Sequence, residues 1–215
     1  MSNSTKVEYI GDFVVRVDYP EVTEPLRLLV MLHGWTGDEN SMWIFSPRIP
    51  KNYLVIAPRG ITRTPLGGYG WQDSTLEGWS KVSDFKLAIE KLLNLTDSFE
   101  SFGIDPFCFD LMGFSQGAAL AYAIAFLFPE RVDKVAGLSG FLPGGLESKI
   151  GDGVLEGKKI FVAHGRQDEL VPIAKGREVV EGLKTAGAQV LYCEEDVGHK
   201  LSSGCFRGLK EYFAK

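Results

Sequence analysis

Gly113-Phe114-Ser115-Gln116-Gly117 puts a serine between two glycines, after the apolar run Phe107–Met112 and before the apolar stretch that begins at Gly117. A serine on a strand-to-helix turn needs small neighbours, because its own backbone is strained and the helix must approach the strand closely. Gly-x-Ser-x-Gly alone is a weak signal in a chain with 25 glycines, and the flanking strand and helix patterns are what raise it. A serine hydroxyl is a poor nucleophile at neutral pH, so it needs a nearby base, which in turn needs a third group to orient it. Three histidines are available: His33 and His164 each end an apolar run in His-Gly, whereas His199 follows Gly198 in a polar stretch before the last helix. The chain order serine, acid, histidine favours His199 as base. Asp168, in the loop straight after the run Lys159–Ala163, is the candidate acid, with Glu169 beside it and Asp196 near His199 as rivals.

A developing oxyanion needs N–H donors aimed at it, and the first free N–H of the helix after the serine belongs to Gln116. A second donor is expected from the turn His33-Gly34-Trp35-Thr36-Gly37-Asp38, with Trp35 preferred and Thr36 next. From Gly60 to Ser80 the sequence has no helix or strand period, yet glycines alternate there with Tyr69, Trp71 and Trp79. A loop of that length usually has a function, and its aromatics argue against disorder. Two readings stand: the aromatics cover the core, or Trp71 and Tyr69 wall a substrate cleft.

These residues need a scaffold that brings distant loops to one place. Val7–Ile10 and Phe13–Val17, broken at Gly11-Asp12, read as a hairpin. Leu26–Leu32 and Tyr53–Ala57 are continuous apolar runs, as expected of strands covered on both faces. Further strands are expected at Phe107–Met112, Lys134–Ser139, Lys159–Ala163 and Gln189–Cys193. The period of a one-faced helix runs from Asp84 to a stop at Gly103, an all-apolar helix follows Ser115, and two more helices cover Pro172–Ala186 and Ser203–Phe213. Alternation of this kind predicts an α/β fold, a mostly parallel central sheet with helices on both faces, with ligands bound beyond the carboxyl ends of the strands. At 215 residues and 45% hydrophobic, residues 1–215 are expected to form one domain.

The net charge of -5, with no block of like charges, argues against a nucleic-acid partner. No apolar run reaches the roughly 18 residues of a membrane span, and Met1-Ser-Asn-Ser-Thr-Lys-Val-Glu lacks the pattern of a signal peptide. The expected compartment is the cytoplasm, with Cys108, Cys193 and Cys205 reduced, since no Cys-x-x-Cys spacing suggests metal or redox work. Exposed aromatics in residues 60–80 could alternatively serve a homodimer.

Leu32-His33-Gly34-Trp35-Thr36-Gly37-Asp38-Glu39, Gly113 through Ala118, Leu138-Ser139-Gly140-Phe141-Leu142-Pro143, His164-Gly165 through Asp168 to Val171-Pro172, and Gly198-His199 together resemble the phospholipase/carboxylesterase family of α/β-hydrolases, which includes acyl-protein thioesterases. The resemblance runs from residue 26 to the end. It implies an α/β-hydrolase fold, a triad of Ser115, Asp168 and His199, no cofactor or metal, and hydrolysis of carboxylic esters or thioesters. Two residues, Trp35 and Thr36, stand between His-Gly and Gly-Asp, more like the bacterial esterase branch, where glycine often replaces Thr36. Trp71-Gln72-Asp73 resembles the family's Trp-Phe-Asp, with Gln72 in place of the aromatic. With no long insertion for a large lid, small or single-chain acyl esters are the expected small-molecule substrates, in a cleft between residues 60–80 and 141–157. A peptidase or acyltransferase on the same scaffold, or a non-catalytic ligand-binding member of the fold, are the rival readings.

Overall fold

The structure is a computed structural model that describes residues 5–20, 27–72, 78–100, 104–105 and 108–214. Leu26, Asp73, the helix stop at Gly103 and the strand start at Phe107 lie outside the described residues. In chain order the strands are β1 (Thr5–Ile10), β2 (Phe13–Asp18), β3 (Arg27–Leu32), β4 (Tyr53–Pro58), β5 (Thr62–Arg63), β6 (Tyr69–Gly70), β7 (Phe109–Phe114), β8 (Val132–Leu138), β9 (Lys159–Gly165) and β10 (Gln189–Glu195). The helices are α1 (Lys86–Asp97), α2 (Gln116–Leu127), α3 (Glu147–Gly151), α4 (Ile173–Thr185) and α5 (Ser203–Ala214).

Among the described residues eight strands form one sheet in the order β1-β2-β4-β3-β7-β8-β9-β10, parallel except that β2 pairs antiparallel with both β1 and β4. The hairpin turns at Gly11, with φ of 56°, and Ile10 pairs with Phe13 as the Gly11-Asp12 signal predicts. Strands in the middle of such a sheet are covered on both faces, and successive side chains point to opposite sides. Leu28, Val30 and Leu32 of β3 accordingly join the core under α1, α2 and α4. Leu29 and Met31 join a second core under α5 and a 3-10 turn at Trp43–Arg48 that periodicity does not reveal.

Helix α2 is buried along nearly its whole length, which explains the lack of a polar face in its sequence. Its first turn meets the sheet backbone to backbone. A Cβ on Gly113 would lie 2.2 Å from the Gly117 carbonyl oxygen, and one on Gly117 would lie 2.1 Å from the Leu32 carbonyl oxygen. Both glycines around Ser115 are therefore required by close approach.

At the amino ends of the strands, Asp110 is completely buried and accepts hydrogen bonds from Arg27, from Tyr53 Oη at 2.6 Å and from the Lys134 N–H at 3.0 Å. A buried carboxylate needs such partners. This cluster is at the opposite end of β7 from Ser115.

The cysteines correct the sequence reading. Cys193 at the end of β10 and Cys205 in the first turn of α5 form a disulfide, with Cα atoms 5.6 Å apart, while Cys108 is free and exposed instead of lying in a strand. The bond arises because the chain between them doubles back, a contact that a separation of 12 residues does not announce. The compartment expected from reduced thiols thus loses that support. Among the described residues, no helix is long and apolar enough to cross a membrane.

Candidate active site

Ser115 stands where β7 turns into α2, with φ of 53° and ψ of -116°. A non-glycine residue holds such a backbone only where its surroundings enforce it. Here the Ser115 N–H donates to the Leu138 carbonyl at 2.8 Å, and the Ser115 carbonyl accepts from the Ala118 and Ala119 N–H groups at 3.0 and 3.2 Å. Gln116 opens α2, so its N–H has no intrahelical acceptor four residues back. Its side chain faces inward and accepts from the Trp71 N–H at 3.0 Å.

Asp168 is delivered by the loop after β9, and its carboxylate is fully buried. Oδ1 accepts from the Leu170 and Val171 N–H groups at 3.0 and 2.8 Å, leaving Oδ2 for His199 Nδ1 at 2.7 Å. Because a carboxylate accepts, His199 carries its proton on Nδ1 and presents Nε2 as a lone pair. The His199 ring packs against Phe114, centroid to centroid 4.8 Å, which brings the imidazole to the residue next to Ser115. Among the described residues Ser115 Oγ makes no direct hydrogen bond to His199; such bonds often tighten only with substrate in place. Of the rival acids, Glu169 is exposed and Asp196 is paired with Arg166 at 2.9 Å.

The loops bearing Asp168 and His199 are laced together. Arg166 N–H donates to the Glu195 carbonyl at 2.8 Å and Gln167 N–H to the Val197 carbonyl at 3.0 Å. The Arg166 guanidinium reaches Glu194 Oε1 and Asp196 Oδ1, both at 2.9 Å. Arg177 and Tyr192, with Arg166, hold the Glu194 carboxyl at about 2, far below the ordinary glutamate value. In the sequence Asp196 stands only as a rival acid and Arg166 carries no signal at all, since a charge on a polar loop bears no local mark of its partner.

The other two histidines are structural. His33 Nε2 accepts from the Gly60 N–H at 2.8 Å, so Nδ1 carries the proton and donates to the Gly34 carbonyl at 2.7 Å. Burial lowers its pKa, against the pull of the Gly34 carbonyl, and keeps it neutral. His164 Nε2 donates to the Val171 carbonyl at 2.8 Å and braces the acid loop from behind.

The turn after β3 lies against the serine: a Cβ on Gly34 would be 3.3 Å from Ser115 Cβ. Gly37 N–H closes the turn on the Gly34 carbonyl at 3.0 Å, with Thr36 at φ of 67°, a conformation suited to glycine. Trp35, half-buried, lies between Gly34 and this residue, its ring over Gly70. Arg59 grips Glu39 through two bonds at 2.7 and 2.8 Å, which fixes the far end of the turn and holds the Glu39 carboxyl below its ordinary range.

Trp71 does not wall a cleft. It is completely buried, donating its indole N–H to the His33 carbonyl at 2.7 Å and packing on the His33 ring at 4.9 Å. A tryptophan with its one donor satisfied internally fills the floor behind the site. Tyr69 is half-buried and its N–H donates to the Gly37 carbonyl at 2.8 Å, with Arg59 stacked on its ring, so it backs the turn after β3. Cys193, Glu195 and Cys205 cluster closely enough to ligate a metal, but the two sulfurs are bonded to each other and offer no thiolate.

Residues 17–215 match the family described as Phospholipase/Carboxylesterase. Acyl-protein thioesterase 1 of Saccharomyces cerevisiae is 41% identical over 178 residues, 71% of this chain and 75% of that protein. A probable carboxylesterase, SOBER1-like, of Arabidopsis thaliana is 27% identical over 199 residues, 86% of this chain and 70% of that protein. The crystal structure of the Bacillus cereus carboxylesterase superposes with a TM-score of 0.81 over 95% of this chain and 94% of that one, at 21% identity. At that identity the likeness speaks for the fold, and it is the α/β-hydrolase fold.

Proposed function

Since the chain belongs to the phospholipase/carboxylesterase family, we propose that it hydrolyses carboxylic esters, thioesters included, through an acyl-enzyme on Ser115. The single observation that carries this reading is the buried Asp168 bonded to His199 Nδ1 at 2.7 Å, beside the strained turn at Ser115. His199 Nε2 takes the proton of Ser115 Oγ as the oxygen attacks the acyl carbonyl. Asp168 fixes the tautomer and stabilises the imidazolium that forms. The N–H groups of Trp35 and Gln116 hold the oxyanion, each such donor supplying on the order of 3 kcal/mol of barrier lowering. His199 then returns its proton to the departing oxygen or sulfur. Water, activated by the same imidazole, releases the acid and restores Ser115. Thioesters belong in the substrate class because the yeast relative is named a thioesterase and the same tetrahedral intermediate serves both.

The test is Ser115→Ala together with a fluorophosphonate label. Wild type should be labelled and should turn over a short aryl ester, and the variant should lose both, turnover by about 10⁶-fold at full effect. Near-normal turnover by Ser115→Ala would overturn the assignment.

A further inference from the structure

Beside His199, on the face of the sheet covered by α5, a trough of about 580 Å³ opens to solvent. That volume lies in the range of small-ligand sites. Its walls are Met42 and Phe45 from the turn after β3, Phe114 just before the serine, and Leu201 and Phe206 beyond His199. Phe45 and Phe206 stack on each other at 5.4 Å in its wall. At its mouth Ile44 is 69% exposed, an apolar side chain without cover of its own. Gly34, Trp35 and His199 line the end nearest the serine, so the trough is continuous with the reaction centre.

Which part of a substrate it takes follows from the proton. In the second half of acylation the carbon–oxygen or carbon–sulfur bond to the leaving group breaks, its electron pair stays on the departing atom, and His199 delivers to that atom the proton taken from Ser115. The departing atom must therefore face His199, and whatever is attached to it continues along Phe114, Leu201 and Phe206. We propose, resting on the serine esterase reading, that this trough binds the apolar alkyl or aryl portion of the leaving alcohol or thiol. Ile44 then sets its preference for length at the mouth.

Two ester series separate this from the alternatives: acetates of straight-chain alcohols from ethyl to hexyl, and ethyl esters of acids from acetyl to hexanoyl, followed by pH-stat with wild type, Ile44→Glu and Ser115→Ala. The expected result is that kcat/KM of wild type rises with alcohol length by about two- to fourfold per methylene, fourfold corresponding to full burial. Ile44→Glu should flatten that rise to less than about 1.5-fold per methylene while leaving the slope of the acyl series as in wild type. A flat alcohol series in wild type, an alcohol slope unmoved by Ile44→Glu, or an effect confined to the acyl series would each overturn the assignment. Loss of turnover in Ser115→Ala alongside any of those outcomes leaves the serine mechanism standing and removes only the trough. Retained turnover in Ser115→Ala removes the mechanism on which the proposal rests.

Discussion

Replacing Asp168 with asparagine tests the site without disturbing its frame. Oδ1 of Asp168 is engaged by two backbone N–H groups, from Leu170 at 3.0 Å and Val171 at 2.8 Å, so the amide oxygen of an asparagine must take that position. Its NH2 is then directed at His199 Nδ1, where Oδ2 now accepts at 2.7 Å. A donor facing Nδ1 requires the opposite tautomer, with the proton on Nε2, and the imidazole can no longer accept from Ser115. The expected loss in kcat is about 10⁴-fold, the size of effect known for a wrong-tautomer substitution in a serine protease, or roughly 5.5 kcal/mol. Stability should barely change, because both backbone bonds survive. Asp168→Ala should lose activity as well and also fall in stability by about 1–3 kcal/mol for each N–H left buried and unpaired. Steady-state hydrolysis of an aryl acetate and thermal melts of the two variants provide the comparison. An asparagine variant within tenfold of wild type in kcat, at unchanged melting temperature, would refute the orientation argument and with it the role of Asp168.

Gly117→Ala should push α2 away from β3, because its Cβ would lie 2.1 Å from a backbone oxygen that cannot yield; we expect a loss of about 1–3 kcal/mol in melts and a drop in kcat/KM, and a variant normal in both would contradict the packing. Acid should weaken the fold through His33. Its pKa is lowered in the folded chain, so stability is whole above the unfolded value of about 6.5 and declines as pH falls from there towards the folded value. Melting temperatures between pH 7.5 and 5.5 should show this slope in wild type and lose it in His33→Gln, and a flat wild-type profile would argue against a neutral His33. Thiol titration of unreduced, unfolded protein should find only Cys108, rising to three thiols after reduction, and reduction should lower stability by about 3 kcal/mol for a loop of this length; three thiols at the outset would remove the disulfide.

Much of the frame can be read from the chain because local pattern and tertiary role coincide. Leu28 to Leu32 are all apolar because β3 is covered on both faces, and α2 lacks a polar face because it is buried all round. Ser115, Asp168 and His199 could be ordered because each follows a strand, and a parallel sheet gathers strand ends at one edge. Other features depend on which distant segments meet. Trp71 reads equally well as cover or cleft wall, and only its bond to the His33 carbonyl decides for burial. Arg166 gains its place from Glu194 and Asp196, twenty-eight and thirty residues away. The strands β5 and β6 have two residues each, too few to leave a period, and the turn at Trp43–Arg48 contains Pro47, which masks its helical character. Thr36 is the reverse case: a φ of 67° calls for glycine, and this chain places a threonine there.

The segment from Gly60 to Trp71 has a bearing on how a substrate can arrive. Four hydrogen bonds fasten it to the turn after β3 and to α2: the Gly60 N–H to His33, the Tyr69 N–H to Gly37, the Trp71 indole to the His33 carbonyl and the Trp71 N–H to Gln116. At about 1 kcal/mol net for each, releasing all of them costs roughly 4 kcal/mol and leaves the freed form in about one molecule per thousand. A segment tied that firmly rests against the turn and α2 almost all of the time. The trough beside His199 is open to solvent and no residue of this segment lines it, so an ester can enter on that side while all four bonds stay closed.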